Sequence, residues 1–392
     1  MSHVVVIGCG IVGAAIAYEL SLVPGLTVTV LDKQPPAMGA TGAALGVLMG
    51  VISHKIKGNA WQMRQASLQR YETLIPELEA LTQRKIPFNR QGILMLLVPR
   101  QEPGNAEEDL ADWEKLVEIR QSQGWQLEIW DAAQVRASCP HLEFDRAIYS
   151  PQDRQVEPLA LTLAMVDAAQ RNGVAFHFGF TVEECYLSTT AENQHVCQKI
   201  QIKSVGAADE SPLIQDVDWL VVAGGVGFSS IFQSFNCHSS PSPSIRPVLG
   251  QALHLRLGNP LGRLDFQPVI TGDDVHIVPV GGGDYWVGAT VEFPKEAGDV
   301  VADPARLERV MQQAIAFCPS LAEATVIKTW SGLRPRPEGR PAPIIDRLPG
   351  YSNVLLATGH YRNGVLLAPA TAQAIRQMIL DFEPQMDADV RR

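Results

Sequence analysis

Apolar residues along this chain occur in two patterns, as continuous runs and as repeats at a spacing of three or four residues. Continuous runs such as "VDWLVVAGG" (217–225) are typical of strands buried on both faces of a parallel sheet. Repeats such as the one in residues 60–83, which includes Trp61 and Leu68, are typical of amphipathic helices. Helices are therefore predicted at 11–22, 60–83, 158–172 and 303–318, and strands at 4–7, 27–32, 174–180, 217–225, 324–333 and 353–359.

A third pattern, strict alternation, occupies residues 248–257, 275–280 and 284–293 and predicts antiparallel strands. The polar stretch 99–109 is predicted to be a loop, and the Ser/Pro-rich stretch 239–244 is the best candidate for a linker. With 392 residues the chain exceeds the usual size of one core, so two domains are expected. Because the α/β pattern resumes after the antiparallel one, the chain is predicted to leave its first domain and return to it.

Composition and charge leave the predicted elements unchanged and exclude several classes of protein and site. A net charge of −10 and the lack of any Lys/Arg run argue against a nucleic-acid surface. The start of the chain shows no basic and apolar leader, and no apolar run is long enough to span a membrane, so a cytoplasmic protein is expected. The six cysteines are scattered without a C-x-x-C pair, which favours buried thiols over disulfides and predicts no metal site.

Gly8, Gly10 and Gly13 lie between the first predicted strand and the first predicted helix. Glycines at this spacing allow a tight turn, a close approach of the backbone to a pyrophosphate, and close helix–strand packing. Asp32 ends the second strand nineteen residues after Gly13, where a carboxylate accepts hydrogen bonds from ribose hydroxyls. The alternative is a glycine turn without a ligand, which the strand–turn–helix–strand context disfavours. A dinucleotide site is therefore predicted.

Two further glycine clusters favour FAD over NAD as the dinucleotide. The stretch "GATGAALGVLMG" (39–50) follows the second strand, where an NAD site more usually continues into an ordinary helix. The stretch "AGGVG" (223–227) follows a sheet strand at its carboxyl end, where ligands of open α/β sheets bind. Three clusters at successive strands favour a long, extended cofactor, and FAD fits best.

Arg362, Asn363 and Gly364 stand directly before an apolar run with helical spacing. A helix start attracts acceptors and anions, because its first N–H groups are unpaired and carry partial positive charge. An arginine at this position indicates that the anion is a ligand from outside the chain, and Gly364 allows the backbone to come close to it.

These motifs resemble, in family order over nearly the whole chain, those of the D-amino-acid oxidase family of FAD-dependent oxidoreductases, and within it the glycine oxidases. The most specific are "WSGLRP" (330–335) and "TGHYRNGVLLAPAT" (358–371). The others are the opening glycine motif, "ATGAALG", "QVEP" (155–158), "FTVEE" around Val182, "VVAGG", "PVLGQ" (247–251) and "HIVPV…VGATVE" (276–292).

The resemblance implies an α/β fold, with a doubly wound, Rossmann-like and discontinuous FAD-binding domain plus an antiparallel-sheet substrate domain. On that basis the FAD-binding domain is expected at 1–85, 151–240 and 329–392, and the substrate domain at 86–150 and 241–328. The family also implies non-covalent FAD and a homo-oligomer.

The activity that the resemblance implies is oxidation of glycine or a similar small amino acid by hydride transfer to the flavin. Reoxidation by O₂ gives hydrogen peroxide, and the imine hydrolyses to glyoxylate and ammonia. In bacteria such enzymes often supply thiamine biosynthesis. Three alternatives stay open: an oxidase for another amine (sarcosine, a D-amino acid or a larger N-alkyl amino acid), a dehydrogenase with an acceptor other than oxygen, and an FAD-binding protein without turnover.

By motif, Arg334 would bind the substrate carboxylate, and Arg362 would lie near the substrate and the flavin. His276 stands where glycine oxidases commonly carry a tyrosine, so its charge, and any hydrogen bond to the substrate, would depend on pH. Met49 and Val291 replace other family residues in the substrate pocket, which puts strict glycine specificity in doubt. The helix that starts near Gly364 would stabilise the reduced flavin through its dipole. The residues implied to contact FAD are Gly8, Gly10, Ile11, Val12, Gly13, Asp32, Lys33, Ala40, Thr41, Leu45, Gly46, Val47, Val182, Ala223, Gly224, His360, Tyr361, Arg362, Asn363, Gly364, Val365 and Leu366.

Overall fold

Two large sheets and the helices packed on them organise the chain. In a computed structural model, residues 2–97, 106–142, 144–206, 212–235, 243–294 and 300–382 are described. The helices are α1 (Ile11–Ser21), α2 (Gly58–Thr82), α3 (Ala106–Ser122), α4 (Ala132–Ser138), α5 (Pro158–Arg171), α6 (Phe228–Gln233), α7 (Pro304–Phe317) and α8 (Gly364–Leu380).

The first sheet has six strands, and the continuous apolar runs of the sequence form its centre. All neighbouring strands are parallel except the pair at one edge, which is antiparallel. In spatial order the strands are β19 (Ile344–Arg347), β20 (Val354–Thr358), β13 (Trp219–Val222), β1 (Ser2–Ile7), β2 (Leu26–Asp32) and β9 (Ala175–Phe178).

Both faces of this sheet are covered, which explains why its strands are apolar without alternation. Helices α1, α2, α5 and α8 pack together, and the core that they share with one face of the sheet includes Val4 and Val6. The opposite face, with Val5 and Ile7, packs on α6 and on a small antiparallel sheet. That small sheet consists of β10 (Phe180–Thr189), β11 (His195–Ser204) and β12 (Leu213–Asp216).

The second large sheet has eight strands and is antiparallel except where β15 meets β5. In spatial order the strands are β18 (Thr325–Pro337), β14 (Ile245–Arg256), β17 (Asp284–Gly288), β16 (Val275–Gly281), β15 (Val269–Gly272), β5 (Ile93–Leu96), β7 (Arg146–Ser150) and β6 (Glu128–Asp131). Three short strands, β3 (Val47–Leu48), β8 (Arg154–Val156) and β4 (Phe88–Asn89), form a further antiparallel sheet.

The predicted fold class, a parallel nucleotide-binding sheet with a separate antiparallel sheet, agrees with these elements. The boundaries of the two domains stay a prediction, and β18 runs across the junction expected at 328/329. The candidate linker at 239–244 lies mostly outside the described residues. Among the described helices, none is both long and apolar enough to cross a bilayer. Cys237 is not described, and the other five cysteines are free and buried.

Two predicted boundaries were wrong. The loop predicted at 99–109 ends early, because α3 begins at Ala106; the polar composition concealed a helical repeat that buries Trp113 and Leu116. The strand predicted at 284–293 ends at Gly288. Beyond Gly288 the chain is held by tertiary hydrogen bonds that a local pattern does not reveal.

Asp153 anchors the segment that joins β3 to α2. Its carboxylate is fully buried and accepts hydrogen bonds from the backbone nitrogens of Gly50 (2.7 Å), Val51 (2.8 Å) and Ile52 (2.8 Å). The hydroxyl of Ser150 donates a fourth, at 2.8 Å. A buried carboxylate is tolerated only when it is hydrogen-bonded in this way.

Arg120 holds the same segment from α3. Its Nε donates to the carbonyl of Val51 (2.7 Å), and its Nη2 donates to the carbonyls of Ser53 (2.7 Å) and Lys55 (3.0 Å). The guanidinium also lies 3.7 Å from the ring centroid of Trp61. Asp153 therefore binds the N–H groups of residues 50–52. Arg120 binds carbonyl groups of the same segment, up to residue 55.

We expect Asp153→Asn to lower the free energy of unfolding by about 3 kcal/mol, because the amide presents donors to backbone N–H groups that stay buried. Urea unfolding followed by circular dichroism measures this loss. Ser150→Ala is the matched control: it removes one donor and should cost about 1 kcal/mol. Equal losses in the two variants would show that the three backbone bonds contribute little.

Candidate active site

A cavity of about 1600 Å³ is lined by residues of both large sheets. The carboxyl ends of β1, β2, β13 and β20 contribute to one part of its wall, and β14, β15, β16 and β18 to another. The predicted residues on this wall are Gly8, Gly10, Ile11, Val12, Asp32, Lys33, Ala40, Thr41, Leu45, Gly46, Val47, Met49, Val182, Ala223, Gly224, His276, Arg334, His360, Tyr361, Arg362, Asn363, Gly364 and Val365.

Three predicted site residues are not on the described wall of the cavity. Gly13 faces β1, where a Cβ atom would overlap the carbonyl of Gly8. Leu366 is buried in the core between the helices and the first sheet. Val291 lies on the segment after β17, and its carbonyl accepts a hydrogen bond from Arg306 (3.0 Å). Gly13 and Leu366 therefore have packing positions, and the observed contact of Val291 is through its backbone carbonyl.

The turn after β1 suits an anionic ligand. Gly8 has a φ of +105°, which disfavours any side chain, and a Cβ there would overlap the carbonyl of Ala223. Helix α1 starts after Gly10 with no side-chain cap and no acidic residue in its first turn. The first N–H group of this helix, that of Ile11, donates to the hydroxyl of Thr41 (2.9 Å). The N–H groups that follow it, at a helix start on the wall of a cavity, provide the setting in which phosphates bind.

Asp32 anchors this turn as well as facing the cavity. Its Oδ2 accepts a hydrogen bond from the backbone nitrogen of Cys9 (2.6 Å), and its Oδ1 accepts one from Gln34 (2.9 Å). Each carboxylate oxygen has a further lone pair for ribose hydroxyls, as the sequence predicted. The other two glycine clusters, at 39–50 and 223–227, lie on the same cavity wall. The donor turn, the carboxylate and the elongated wall all fit an extended dinucleotide.

Helix α8 begins at Gly364, at the predicted position, and its cap residue Asn363 makes no side-chain cap hydrogen bond. The positive end of this helix dipole therefore faces the cavity. His360, just before it, is buried and shares a 2.9 Å hydrogen bond with the hydroxyl of Thr371. Burial lowers the pKa of His360 to about 4, so this imidazole is neutral at physiological pH.

Arg362 has a partner within the chain, contrary to the expectation that its anion would come from outside. Its Nη1 and Nη2 donate to the two carboxylate oxygens of Asp274, at 3.2 and 3.1 Å. This bond to Arg362 lowers the pKa of Asp274 below its usual value. Because 88 residues separate the two, the pairing was not visible in the sequence. The pair joins the β15–β16 turn to the start of α8.

Arg334, unlike Arg362, has no carboxylate partner in the part of the chain that the structure describes. It lies on β18, and its Nη1 donates to the carbonyls of Leu249 (3.3 Å) and Thr290 (3.0 Å). Among the described residues it forms no ion pair, although burial, and then the charge of Arg362, lower its pKa. The guanidinium lies over Gly250, where a Cβ atom would overlap it. A desolvated guanidinium with unused donors is suited to a carboxylate ligand.

Buried Glu292 fixes the backbone that holds Arg334. It accepts hydrogen bonds from the Thr290 hydroxyl (2.5 Å), from Gln251 Nε2 (2.7 Å) and from the Asp303 backbone nitrogen (3.0 Å). The backbone of Thr290 and Glu292 also stays hydrogen-bonded to Gln251 and Leu249 of β14. These bonds therefore set the position of the Thr290 carbonyl beneath the guanidinium.

His276 lies opposite Thr271 and Gly288 in the second sheet and faces the cavity. Its Nδ1 is buried and has no hydrogen-bond partner among the described residues. Burial and the nearby Arg362 lower the pKa of His276 to about 4, against the opposing effect of Asp274. The charge change expected near neutral pH therefore does not occur, and His276 offers a neutral hydrogen-bonding nitrogen.

Five further residues of the cavity wall were not predicted from the sequence. Gly250 lies in the motif PVLGQ, but its contact with Arg334, like that of Asp274 with Arg362, was not visible locally because the partners lie on other elements. His54 and Trp113, with ring centroids 4.5 Å apart, form another part of the wall. Arg64 also lines the cavity and did give a signal, since it interrupts the apolar stripe of α2 between Trp61 and Leu68.

Comparison with known proteins agrees with this geometry. The family model described as FAD dependent oxidoreductase matches residues 3–378. A "Bifunctional protein ThiO/ThiG" of Trichormus variabilis is 30% identical over 96% of this chain and 52% of its own length, so the chain spans about half of that relative. A "Glycine oxidase" of Bacillus subtilis is 28% identical over 98% of this chain and 94% of its own length.

Solved structures show the same fold. Glycine oxidase from Bacillus cereus superposes with a TM-score of 0.79 at 23% identity, covering 97% of this chain and 95% of that one. Iminodiacetate oxidase from Chelativorans superposes with a TM-score of 0.77 at 22% identity, covering 96% and 95%. The predicted fold class is confirmed, and the family match confirms FAD as the cofactor.

We expect Gly250→Ala to displace the Arg334 guanidinium and to weaken carboxylate binding about tenfold or more, because the new methyl group overlaps its position. Titration of the flavin absorbance with acetate measures this affinity. The matched control is Gly258→Ala, which places a methyl group in open space. If both variants bind acetate like the wild type, the guanidinium does not need the space above Gly250.

We expect the protein to lose stability as the pH falls from 7 to 5. His360 has a lower pKa in the folded chain (about 4) than in the unfolded chain, so protons bind preferentially to the unfolded state below pH 6.5. Its share of the loss is about 2 kcal/mol between pH 7 and pH 5. Urea unfolding at the two pH values should show that His360→Asn removes this share. A slope that His360→Asn leaves unchanged would contradict the neutral, buried state of His360.

Proposed function

We propose that this chain, which belongs to the family of FAD-dependent oxidoreductases, oxidises a small amino acid at its Cα–N bond. Glycine is the simplest such substrate, and a similar small primary or secondary amino acid is the alternative. The products would be an imine, which water hydrolyses to a 2-oxo acid and ammonia (or, from a secondary amino acid, an amine), and hydrogen peroxide from O₂. The observation that carries the proposal is the desolvated, unpaired guanidinium of Arg334 in the cavity that also contains the dinucleotide turn.

Arg334 would bind and orient the substrate carboxylate. Two carbonyls occupy one of its nitrogens, so the remaining N–H groups are available for a bidentate contact. Because β18 and β14 pair along their whole length, the guanidinium is held on a rigid support. Holding the carboxylate there fixes the direction of the Cα–H bond, and positioning of this kind accounts for a large part of catalysis.

FAD, when bound, would supply the two-electron oxidation and pass the electrons to O₂. The start of α8, which has no side-chain cap, would stabilise the negative charge of the reduced flavin. Arg362 would contribute less charge than expected, because Asp274 neutralises it. The proposal assigns no proton transfer to His360, whose ring bonds Thr371, and the substrate amine would release its proton to solvent.

Similar proteins support the proposal without extending it. Relatives named as glycine oxidases match along nearly their whole length, whereas the bifunctional ThiO/ThiG relatives contain a further half that this chain does not match. A role in thiamine biosynthesis, a homo-oligomer, non-covalent FAD and a cytoplasmic location stay expectations of the family resemblance.

The test is anaerobic addition of glycine, sarcosine and D-alanine to the purified yellow protein, with the flavin absorbance followed over time. Bleaching by one of them, and peroxide on admission of air, is the expected result. We expect Arg334→Gln to raise KM about 100-fold while FAD stays bound, because a charge-assisted pair is lost. Arg340→Gln is the control, since Arg340 is exposed and lies outside the cavity wall.

Three results would contradict the proposal at different steps. A flavin that no amino acid bleaches would exclude the proposed oxidation. Bleaching without peroxide in air would indicate a dehydrogenase with another acceptor. An unchanged KM in Arg334→Gln would exclude Arg334 as the carboxylate site and leave the oxidation intact.

A further inference from the structure

Arg64 occupies an unusual place on α2. It lies three residues after Trp61 and four before Leu68, so it is on the same side of the helix as these buried apolar side chains, and it is itself half-buried. The same face packs on α8, where Ser67 accepts a hydrogen bond from the backbone of Ala370 (3.2 Å) and Tyr71 donates one to Val365 (2.5 Å). A cation on such a face is costly unless it has partners.

The partners of Arg64 within the chain are few. Its Nη1 donates to the carbonyl of Ala60 at 2.8 Å, a bond to its own helix. Its Nε is buried and has no hydrogen-bond partner, and no carboxylate lies within ion-pair distance among the described residues. Burial lowers the pKa of Arg64, and only the nearby charge of Asp153 opposes this. Asp153 is not its partner, because the backbone of residues 50–52 and Ser150 occupy that carboxylate.

Arg120 shows what a structural arginine looks like in the same region. It is also desolvated, but its guanidinium donates to three backbone carbonyls and to the side chain of Gln123 (2.7 Å). Arg120 is therefore satisfied by the chain itself, and Arg64 is not. The difference indicates that the missing acceptor of Arg64 is a ligand.

Arg64 lies close to the segment 50–55, because the charges of Asp153 and Arg120, which hold that segment, act on its guanidinium. Ser53 and His54 of this segment line the cavity with Arg64, as does Met49 just before it, which the family resemblance implies in the substrate pocket. The phosphates of FAD are expected at the start of α1, on a different segment, so the cofactor does not need this cation. An anionic group of the substrate is then the remaining candidate.

We infer that Arg64 is a second anion-binding subsite, and that the preferred substrate is an amino acid with a second carboxylate, carried on its nitrogen or on its side chain. This inference rests on the proposed function, in which Arg334 binds the first carboxylate. Arg64 acts as a specificity determinant: it selects among amino acids and leaves the oxidation itself unchanged. Two arginines at separate positions discriminate between a dianionic and a monoanionic substrate more strongly than one arginine does.

The test uses the purified holoenzyme and compares glycine and sarcosine with iminodiacetate, D-aspartate and D-glutamate. We expect at least tenfold higher kcat/KM for the best dicarboxylate than for glycine. We expect Arg64→Gln to lower that value 10- to 100-fold, mainly through KM, and to change glycine less than twofold. Arg64→Lys should restore part of the loss, and Arg340→Gln should change neither substrate.

Binding without turnover gives an independent readout. Succinate and acetate are titrated against the flavin absorbance, and succinate should bind more tightly in the wild type but not in Arg64→Gln. A wild type without preference for any dicarboxylate, or equal losses on glycine and dicarboxylates in Arg64→Gln, would overturn the inference. If Arg64→Gln does not fold, the inference is tested by the substrate preference of the wild type and by the kcat/KM values of Arg64→Lys. Reduction by glycine alone refutes only this inference, whereas no reduction by any of the five amino acids refutes the proposed function.

Discussion

The close approach of the backbone at Gly13 to that at Gly8 determines how the first sheet meets its helices. A side chain at Gly13 would overlap the carbonyl of Gly8, and one at Gly8 would overlap Ala223. With no side chains between them, α1 starts directly at the end of β1 and its N–H groups open onto the cavity. The other two glycine clusters reach the same cavity because β1, β2 and β13 are adjacent and parallel.

The two large sheets contribute different things to the cavity. The parallel sheet brings backbone donors and helix starts, which bind a cofactor without needing particular side chains. The antiparallel sheet brings side chains on a rigid support, with Arg334 over Gly250 and His276 three strands away from β18. Trp330 links the two parts, because its Nε1 donates to the carbonyl of Ala43 at 3.1 Å. This division of the wall supports the proposed roles, in which glycines provide the cofactor site and arginines bind the substrate.

The sequence was sufficient wherever the determining interaction is local. Helical and strand periodicity located α2, α5, α7, β13 and β20 within a few residues, and the glycine spacing located the dinucleotide turn. The predictions were wrong where contacts between residues far apart in the sequence determine the structure. The chain after Gly288 is held by Glu292 with Gln251 and Asp303, and the pairing of Arg362 depends on Asp274. The neutral state of His276 was missed for the same reason, because its surroundings come from three separate elements.

Placing the carboxylate anchor and the selecting wall on separate elements has a consequence for how such an enzyme diversifies. Arg334, its two carbonyl acceptors and Gly250 belong to β18, β14 and the segment after β17, and their positions depend on strand register. Arg64 and Met49 lie on α2 and on the segment before it, which Asp153 and Arg120 hold independently. Substitutions on the second set can change the accepted amino acid by single steps while the reacting end keeps its geometry. With the roles proposed for these residues, a lineage built on this scaffold would acquire new substrates through the second set alone.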